Sequence, residues 1–157
     1  MTTVMPHATP AAWSAHSSAR SVYDFIAQQQ IEADPPLDVM LGGGRRYFDS
    51  RRADGRNLLH EHQERYTIVH DALQLRREVA RGLDKPLLGL FSDEDMDYEV
   101  DRVHMPPPPA SPPGWGAAGG KGNDRNGKGV QPSLSEMVSY SQKTLSCEFY
   151  TGILLGH

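Results

Sequence analysis

The chain has 157 residues, of which 38% are hydrophobic, and its 16 basic and 20 acidic side chains give a formal net charge of −4. This length is sufficient for one domain with a substantial core. The acidic balance lacks the basic stripe expected of a nucleic-acid-binding protein, and no apolar run approaches the roughly 20 residues of a transmembrane helix.

The first predicted element is a helix that opens at Thr9-Pro10. A threonine can cap free backbone N–H groups, proline suits the first helical position, and the alanines in residues 11–18 favour a continued helix. The spacing of Val22, Phe25 and Ile26 predicts a second helix with one buried face, which the following prolines are expected to stop.

Short apolar runs dominate the next part of the chain. Residues 49–65, between two of these runs, are polar and predict a solvated connection. Asp71 is placed to cap a helix over Ala72–Arg81 that ends at Gly82. A strand, a helix and a strand at this spacing predict a βαβ unit with parallel pairing, so the expected fold class is α/β. The predicted strands are Leu37–Leu41, Tyr66–Val69 and Pro86–Phe91.

The composition changes abruptly after residue 104. Residues 105–130 are rich in proline and glycine and predict a disordered insertion. Ser133 and Glu136 then match a capping box, which predicts a helix over Leu134–Leu145. The chain therefore divides into a core, an insertion, a helix and a tail, at residues 1–104, 105–130, 131–145 and 146–157.

Three further patterns allow more than one interpretation. Gly42–Gly44, followed by two arginines, could cradle an anion, but a tight turn after a strand is favoured. His60 and His62 could bind a metal, but two histidines two residues apart on a polar loop often occur by chance. Residues 122–128 match only the first part of a P-loop pattern, because Gly129 stands where serine or threonine is needed.

Five blocks of the sequence, in family order, resemble segments of the alkaline phosphatases. The resemblance implies an incomplete alkaline-phosphatase-like core with short parallel strands and flanking helices. The blocks are His7-Ala-Thr-Pro-Ala-Ala with Ala15-His16 and Arg20, Asp38-Val-Met-Leu-Gly-Gly-Gly-Arg-Arg-Tyr-Phe48, Asp54-Gly-Arg-Asn-Leu58, Gly89–Arg102 and Pro132-Ser-Leu-Ser-Glu-Met137.

The family hydrolyses phosphate monoesters, and the resemblance assigns roles to three residues. Arg20 falls at the phosphate-binding arginine, whose planar fork can hold two phosphate oxygens. His7 and Thr9 fall near the family's third metal site, which usually holds Mg²⁺ beside a pair of Zn²⁺ ions. A continuous helix would separate Thr9 and Arg20 by about 16 Å, so we expect the helix to end by about Ser18. His16 is expected to be a packed or capping residue.

Several family features are missing from this sequence. It contains no Asp-Ser-Ala segment, which carries the family's serine nucleophile, so no catalytic residue is assigned. The segments with the family's zinc ligands are also missing. Some members bind calcium near the fourth block, but Ser92 and Gln131 stand where carboxylates are usual. The acidic residues 93–97 could bind calcium loosely, although a solvated acidic loop is favoured.

These departures predict a truncated fragment that is inactive alone. The alternative is a non-catalytic truncated isoform or gene-model product that could associate with a full-length subunit. Members of the family are often homodimers and are usually exported or membrane-anchored. Residues 1–20 lack the apolar core of a signal peptide and no anchor is found, so a chain that has lost its start is expected and its localisation is left open.

Overall fold

The computed structural model describes residues 2–98 and 131–154. A single 3₁₀ turn, Arg45–Tyr47, lies between the first strand and the third helix of this part. The helices and strands follow in the order α1 (Ala8–Ala11), α2 (Tyr23–Glu32), β1 (Val39–Gly42), α3 (Leu58–Glu61), β2 (Thr67–Val69), α4 (Ala72–Arg81), β3 (Leu87–Leu90) and α5 (Leu134–Leu154).

The three strands form a parallel sheet in the order β1-β3-β2. Leu87 at the start of β3 pairs with Val39 on one side and with Thr67 on the other. β2, α4 and β3 form the predicted βαβ unit, because the chain must cross one face of the sheet to return in the same direction. The α/β fold class and all three predicted strands are confirmed, with each strand one or two residues shorter than the apolar run.

The sheet is covered on both faces, so neighbouring residues of a strand contribute to different cores. Met40 and Leu88 pack on the α2 face with Ile31, and Leu41 and Leu87 pack on the opposite face. The opposite face is covered by Leu75 of α4 and Met137 of α5, among others. Burial on both faces explains why the strands are apolar runs rather than alternating sequences.

Helix α4 begins and ends at the residues that the sequence predicted. The Asp71 carboxylate accepts a hydrogen bond of 2.8 Å from the backbone N–H of Gln74. Gly82 ends the helix with a φ of 85°, a conformation that glycine adopts without the penalty of a Cβ atom. These local signals were sufficient because they act within one turn of the helix.

The capping box at the start of α5 is also confirmed. Ser133 Oγ accepts a hydrogen bond of 3.1 Å from the N–H of Glu136, and Ser133 N–H donates to the Glu136 carboxylate at 3.0 Å. The same carboxylate forms an ion pair with Arg76, which ties α5 to α4. The helix continues to Leu154, whereas the sequence predicted an end at Leu145.

Helix α1 is shorter than predicted, because it ends at Ala11 rather than near Ser18. Alanine content alone favours a helix only weakly over so few residues, so tertiary contacts determine where the helix ends. Ser14 lies in the turn that follows the helix. Its N–H donates to Ala11 O at 3.0 Å, and its hydroxyl accepts a hydrogen bond from Gln30 Nε2 at 3.1 Å.

The predicted buried face of α2 is partly wrong. The buried stripe contains Ile26, Ala27, Gln30 and Ile31, whereas the Val22 and Phe25 residues are 40% and 50% exposed. Val22 precedes the first helical residue, and Phe25 lies beside the stripe rather than on it. Of the three predicted positions, only Ile26 belongs to the core.

Residues 49–65 are more than a solvated connection. The Arg52 side chain is only 1% exposed, and it donates to the carbonyls of Tyr47 and Asp24 at 2.7 and 2.8 Å. Leu58 of α3 is completely buried. The expected insertion at 105–130 lies outside the described residues. Within the described part, no helix is long and apolar enough to cross a bilayer.

Candidate functional site

The N-terminal segment, residues 2–5, lies along the carboxyl end of β1. Thr2 N donates to Leu41 O, Gly43 N donates to Thr3 O, and Met5 N donates to Gly43 O, each at 3.1 Å. A Cβ atom on Gly43 would lie 2.4 Å from Thr3 O, so this close approach requires glycine. The segment therefore brings His7 to the edge of the sheet where parallel α/β proteins place their ligands.

His7 lies at the start of α1 and is half-buried. Its imidazole packs against the ring of Tyr23 with centroids 4.9 Å apart, and Tyr23 in turn packs against Tyr47 at 5.2 Å. The Arg46 guanidinium lies 5.3 Å from the centroid of Tyr47, and burial raises the pKa of the Tyr47 hydroxyl. Sequence reasoning missed these tyrosines because they are remote from His7 along the chain.

Thr9 lies inside α1 rather than at its cap. The helix begins at Ala8, and the carbonyl of His7 accepts the N–H of Ala11 at 3.0 Å. The predicted capping role of Thr9 is therefore wrong, because the chain becomes helical one residue earlier. His7 and Thr9 are nevertheless neighbours within the first turn of this helix.

Arg20 lies in an exposed turn between α1 and α2. Within residues 2–98 and 131–154 its guanidinium has no hydrogen-bond or ion-pair partner, so it is accessible to an anion. Because α1 ends at Ala11, Thr9 and Arg20 do not share a continuous helix, which is the break that the site hypothesis required. Its assignment to a phosphate stays a prediction.

His16 is exposed, and its expected role as a packed residue is wrong. Its backbone, rather than its ring, makes the contacts. His16 N donates to Gln29 Oε1 at 2.6 Å, and Gln29 Nε2 donates to His16 O at 3.0 Å. This pair of bonds ties the turn that carries Arg20 to α2.

The glycine-rich turn after β1 does not offer its N–H groups to an anion. Gly44 N donates to Glu94 O at 2.7 Å, Arg45 N to Ser92 O at 3.0 Å, and Arg46 N to Asp93 O at 3.2 Å. The donors that would form an anion cradle are therefore occupied by the loop that follows β3. The tight-turn interpretation is supported, and Gly44 has the positive φ, 88°, that such a turn requires.

The acidic loop after β3 is neutralised by arginines rather than solvated alone. Arg51 donates to Asp93 at 2.8 Å and to Asp49 at 2.6 Å, and Arg45 also pairs with Asp93. Arg51, together with Arg45, holds the pKa of the Asp93 carboxyl well below its usual range. Since its oxygens are engaged by guanidinium groups, Asp93 is a poor candidate for the loosely held calcium.

Gln131 was considered only as a departure from a calcium site, but it has a structural contact. Its residue is 5% exposed, and its side-chain oxygen accepts a hydrogen bond of 3.1 Å from Asp97 N. The amide therefore joins the acidic loop to the segment that leads into α5.

The side chains present do not by themselves complete a metal site. Among the described residues, no group of three or more His, Cys, Asp or Glu side chains is arranged to hold an ion. His60 is exposed, and His62 Nε2 lies 3.9 Å from a Glu32 oxygen instead of beside His60 in a ligand set. The predicted ligands His7 and Thr9 would at most form part of a larger set.

The fold and these motifs agree with the comparison to known proteins. The family model described as alkaline phosphatase matches residues 1–150. The chain therefore belongs to the alkaline phosphatase family, and the resemblance found in the sequence is confirmed.

Individual relatives cover different parts of the chain. Alkaline phosphatase 3 of Bacillus subtilis (strain 168) is 32% identical over 107 residues, which represent 65% of this chain and 22% of that protein. The alkaline phosphatase of Gadus morhua is 29% identical over 178 residues, with 92% of this chain and 32% of that protein covered. The chain thus spans less than a third of these relatives' length.

Solved structures support the same family. Thermus thermophilus alkaline phosphatase superposes with a TM-score of 0.67 and 30% identity, covering 93% of this chain and 25% of that one. The enzyme from the Antarctic bacterium TAB5 gives a TM-score of 0.62 and 26% identity, covering 92% and 34%. A TAB5 variant with Mg bound in its M3 site gives 0.53 and 31%, covering 61% and 27%.

Proposed function

We propose that this chain is a part of a metal-dependent alkaline phosphatase that hydrolyses phosphate monoesters. The observation that carries the proposal is the pairing of residues 2–5 with the carboxyl end of β1. This pairing brings His7 and Thr9 to the edge of a parallel sheet at which α/β enzymes bind their ligands. The family membership supplies the reaction class.

In this proposal Arg20 binds the phosphate of the substrate. Its guanidinium carries a permanent positive charge and can donate two parallel hydrogen bonds to phosphate oxygens. It is exposed, and the turn that carries it is tied to α2 by the hydrogen bonds between His16 and Gln29. A lysine at this position would keep the charge but lose the two-pronged geometry.

His7 and Thr9 contribute to the binding of a divalent cation. Imidazole suits Zn²⁺, and a hydroxyl oxygen suits Mg²⁺, so the pair is compatible with either ion as a partial ligand set. The TAB5 variant with bound Mg supports a magnesium-type site in a relative. When bound, such an ion would neutralise developing negative charge on phosphate oxygens. Two ligands bind such an ion weakly, since affinity depends on a complete set.

The chain alone is expected to be inactive, because its sequence contains neither the Asp-Ser-Ala segment of the family's nucleophile nor the segments with the family's zinc ligands. Purified protein should be assayed with a chromogenic phosphate monoester in the presence of Zn²⁺ and Mg²⁺. We expect no turnover above a metal-only control. Turnover that Arg20→Ala abolishes, and that Arg77→Ala on the exposed face of α4 leaves intact, would overturn the claim of inactivity.

Metal binding needs a separate measurement. Calorimetric titration with Zn²⁺ should give weak binding that His7→Ala removes, while His16→Ala, an exposed histidine nearby, leaves it unchanged. Equal losses in the two variants would indicate non-specific binding to histidine. No loss in His7→Ala would remove His7 from the proposed site.

A non-catalytic role as a binding partner of a full-length subunit is the second candidate. It is favoured by exposed apolar side chains in residues 13–25, where Trp13, Phe25 and Val22 are 90%, 50% and 40% exposed. Sedimentation of the chain with a full-length alkaline phosphatase would test it. Co-sedimentation lost on Phe25→Ser would support association, and independent sedimentation would exclude it.

A further inference from the structure

The imidazole of His7 is held through its face rather than through its nitrogens. In the described part of the chain, neither ring nitrogen has a hydrogen-bond or ion-pair partner. The ring instead packs against Tyr23, with centroids 4.9 Å apart and planes inclined by 37°. This separation lies within the range of favourable aromatic pairs. The contact therefore restricts the orientation of the ring while leaving both nitrogens available.

Tyr23 is itself packed against a second ring, that of Tyr47, with centroids 5.2 Å apart. The backbone of Tyr47 is anchored at both of its polar groups. Its N–H donates to Gly44 O at 3.0 Å, and its carbonyl accepts a hydrogen bond of 2.7 Å from the buried Arg52 side chain. Tyr47 therefore offers Tyr23 a fixed surface.

The contacts return to the residue next to His7 through a glycine. A Cβ atom on Gly44 would lie 3.2 Å from Pro6 Cδ and 3.3 Å from Tyr47 Cδ2, so both rings pack over the same backbone atom. Pro6 is buried and directly precedes His7. The backbone beside His7 cannot shift without disturbing this packing, and the imidazole cannot turn without losing its contact with Tyr23.

Helix α2 sets the distance between the two partners. Tyr23 is its first residue, and the helix is fixed to the sheet by its buried stripe from Ile26 to Ile31. Gln30 of the same helix donates to Met5 O at 3.0 Å, two residues before His7. One helix therefore holds both the Tyr23 ring and the backbone that leads to His7.

We propose that Tyr23 is a positioning residue, which holds the His7 imidazole with its nitrogens free for a divalent cation. This inference rests on the proposed metal site. Metal-ligating histidines usually have their ring orientation fixed by a hydrogen bond from the second nitrogen. In the described ranges His7 lacks such a bond, and its packing against Tyr23 takes over that task. A ring that is oriented before the ion arrives loses less conformational freedom on binding, which raises the affinity.

A contact that only stabilises the fold would behave differently. It would change the free energy of unfolding but not the zinc affinity of the folded protein. Leucine at position 23 keeps an apolar side chain but loses the flat face, whereas phenylalanine keeps the face. The comparison of these two side chains separates positioning from stabilisation.

The first test uses the unmodified chain and nuclear Overhauser contacts between ring protons, with the His7 resonances assigned by comparison with His7→Ala. We expect contacts between the His7 and Tyr23 rings in the metal-free protein. The same contacts should persist after addition of Zn²⁺, because a positioned imidazole binds without turning. Contacts that are absent from the metal-free protein, or are lost when Zn²⁺ shifts the His7 resonances, would overturn the proposal.

The second test measures Zn²⁺ affinity by calorimetry at a temperature at which every variant is folded. Tyr23→Leu should bind about fivefold more weakly, because an aromatic pair contributes up to roughly tenfold to an equilibrium constant. Tyr23→Phe should stay within about twofold of the parent, since it keeps the ring. The control is Tyr140→Leu, which changes a half-buried tyrosine of α5 on the opposite face of the sheet and should have no effect.

The outcomes separate this inference from the proposed metal site. Unchanged affinity in Tyr23→Leu, with binding still removed by His7→Ala, would overturn the inference and leave the metal site standing. Binding that His7→Ala does not change would overturn the metal site and the inference with it. Equal losses in Tyr23→Leu and Tyr140→Leu would indicate general destabilisation and would also overturn the inference. If Tyr23→Leu does not fold, the ring contacts of the unmodified chain decide.

Discussion

Replacing Gly43 by alanine tests whether close backbone packing holds the carboxyl edge of the sheet together. An added Cβ atom would lie 2.2 Å from Glu94 O and 2.4 Å from Thr3 O. Both obstacles are backbone atoms, so neither can rotate away as the end of a side chain would. We expect Gly43→Ala to push residues 2–5 and the acidic loop away from β1, and His7 with them.

The magnitude follows from two contributions. Overpacking a close-packed position costs about 1–3 kcal/mol of unfolding free energy. The hydrogen bonds at this point include Gly43 N to Thr3 O and Gly44 N to Glu94 O, and each bond lost costs about 1 kcal/mol more. The expected loss is therefore about 3–5 kcal/mol, a large share of the roughly 5–15 kcal/mol that stabilises a typical domain.

The assay is urea unfolding followed by circular dichroism, with Gly55→Ala as the control. Gly55 has a φ of 69° and no atom within 4 Å of an added Cβ, so its replacement should cost only about 1–2 kcal/mol of backbone strain. Gly43 has no positive φ, and backbone conformation alone would therefore rank the two variants in the opposite order. The reasoning is refuted if Gly43→Ala is the less destabilised variant.

Three further predictions concern stability and use the same urea assay. Arg52→Ala should cost about 2–4 kcal/mol, because it removes a buried side chain and its hydrogen bonds to the carbonyls of Tyr47 and Asp24, while Arg51→Ala, whose side chain is 48% exposed, should cost under about 1 kcal/mol. Arg51 lowers the pKa of Asp93 in the folded protein. The stabilisation from Asp93 is therefore present above its unfolded pKa, near 4, and is lost as pH falls below that value. Asp93→Asn should flatten this acid decline in stability, and an unchanged decline would contradict the assignment. Ser133→Ala should cost about 1 kcal/mol by breaking the cap with Glu136, and a stability equal to the parent's would show the cap to be dispensable.

The parts of the fold that the sequence predicted are those that local interactions determine. Asp71 and Gly82 fix the ends of α4 within a single helical turn, and Ser133 does the same for the start of α5. The strands were found because burial on both faces requires uninterrupted apolar residues. None of these features needs knowledge of which elements lie beside one another.

The errors occurred where remote contacts override local preference. Gln30 of α2 donates hydrogen bonds to Ser14 Oγ and Met5 O, and these contacts accompany a turn where alanine content predicted more helix. Arg52 appeared to be one of several solvated arginines, but its side chain is buried and donates to the carbonyl of Asp24, 28 residues away in the sequence. No pattern in the sequence distinguishes Arg52 from its exposed neighbour Arg51.

The candidate site was predictable in its residues but not in its surroundings. The motif around His7 identified the family, which the family model confirms. The packing of Tyr23 against His7 and the exposure of Arg20 depend on how the turn after α1 is tied to α2, which the motif does not encode. The roles of His7, Thr9 and Arg20 therefore rest on experiment.

The backbone hydrogen bonds between the glycine-rich turn and the acidic loop restrict substitutions unequally in the two segments. Its donors are the N–H groups of Gly44, Arg45 and Arg46, and its acceptors are carbonyls of residues 92–94. Every amino acid carries such a carbonyl, so the acidic loop can exchange side chains, as with Ser92 at a position where a carboxylate is usual, and still hold the turn. The glycines have no equivalent substitutes. Substitution is therefore tolerated more widely in the acidic loop than at Gly43, where an added Cβ meets backbone atoms, and at Gly44, where φ is positive.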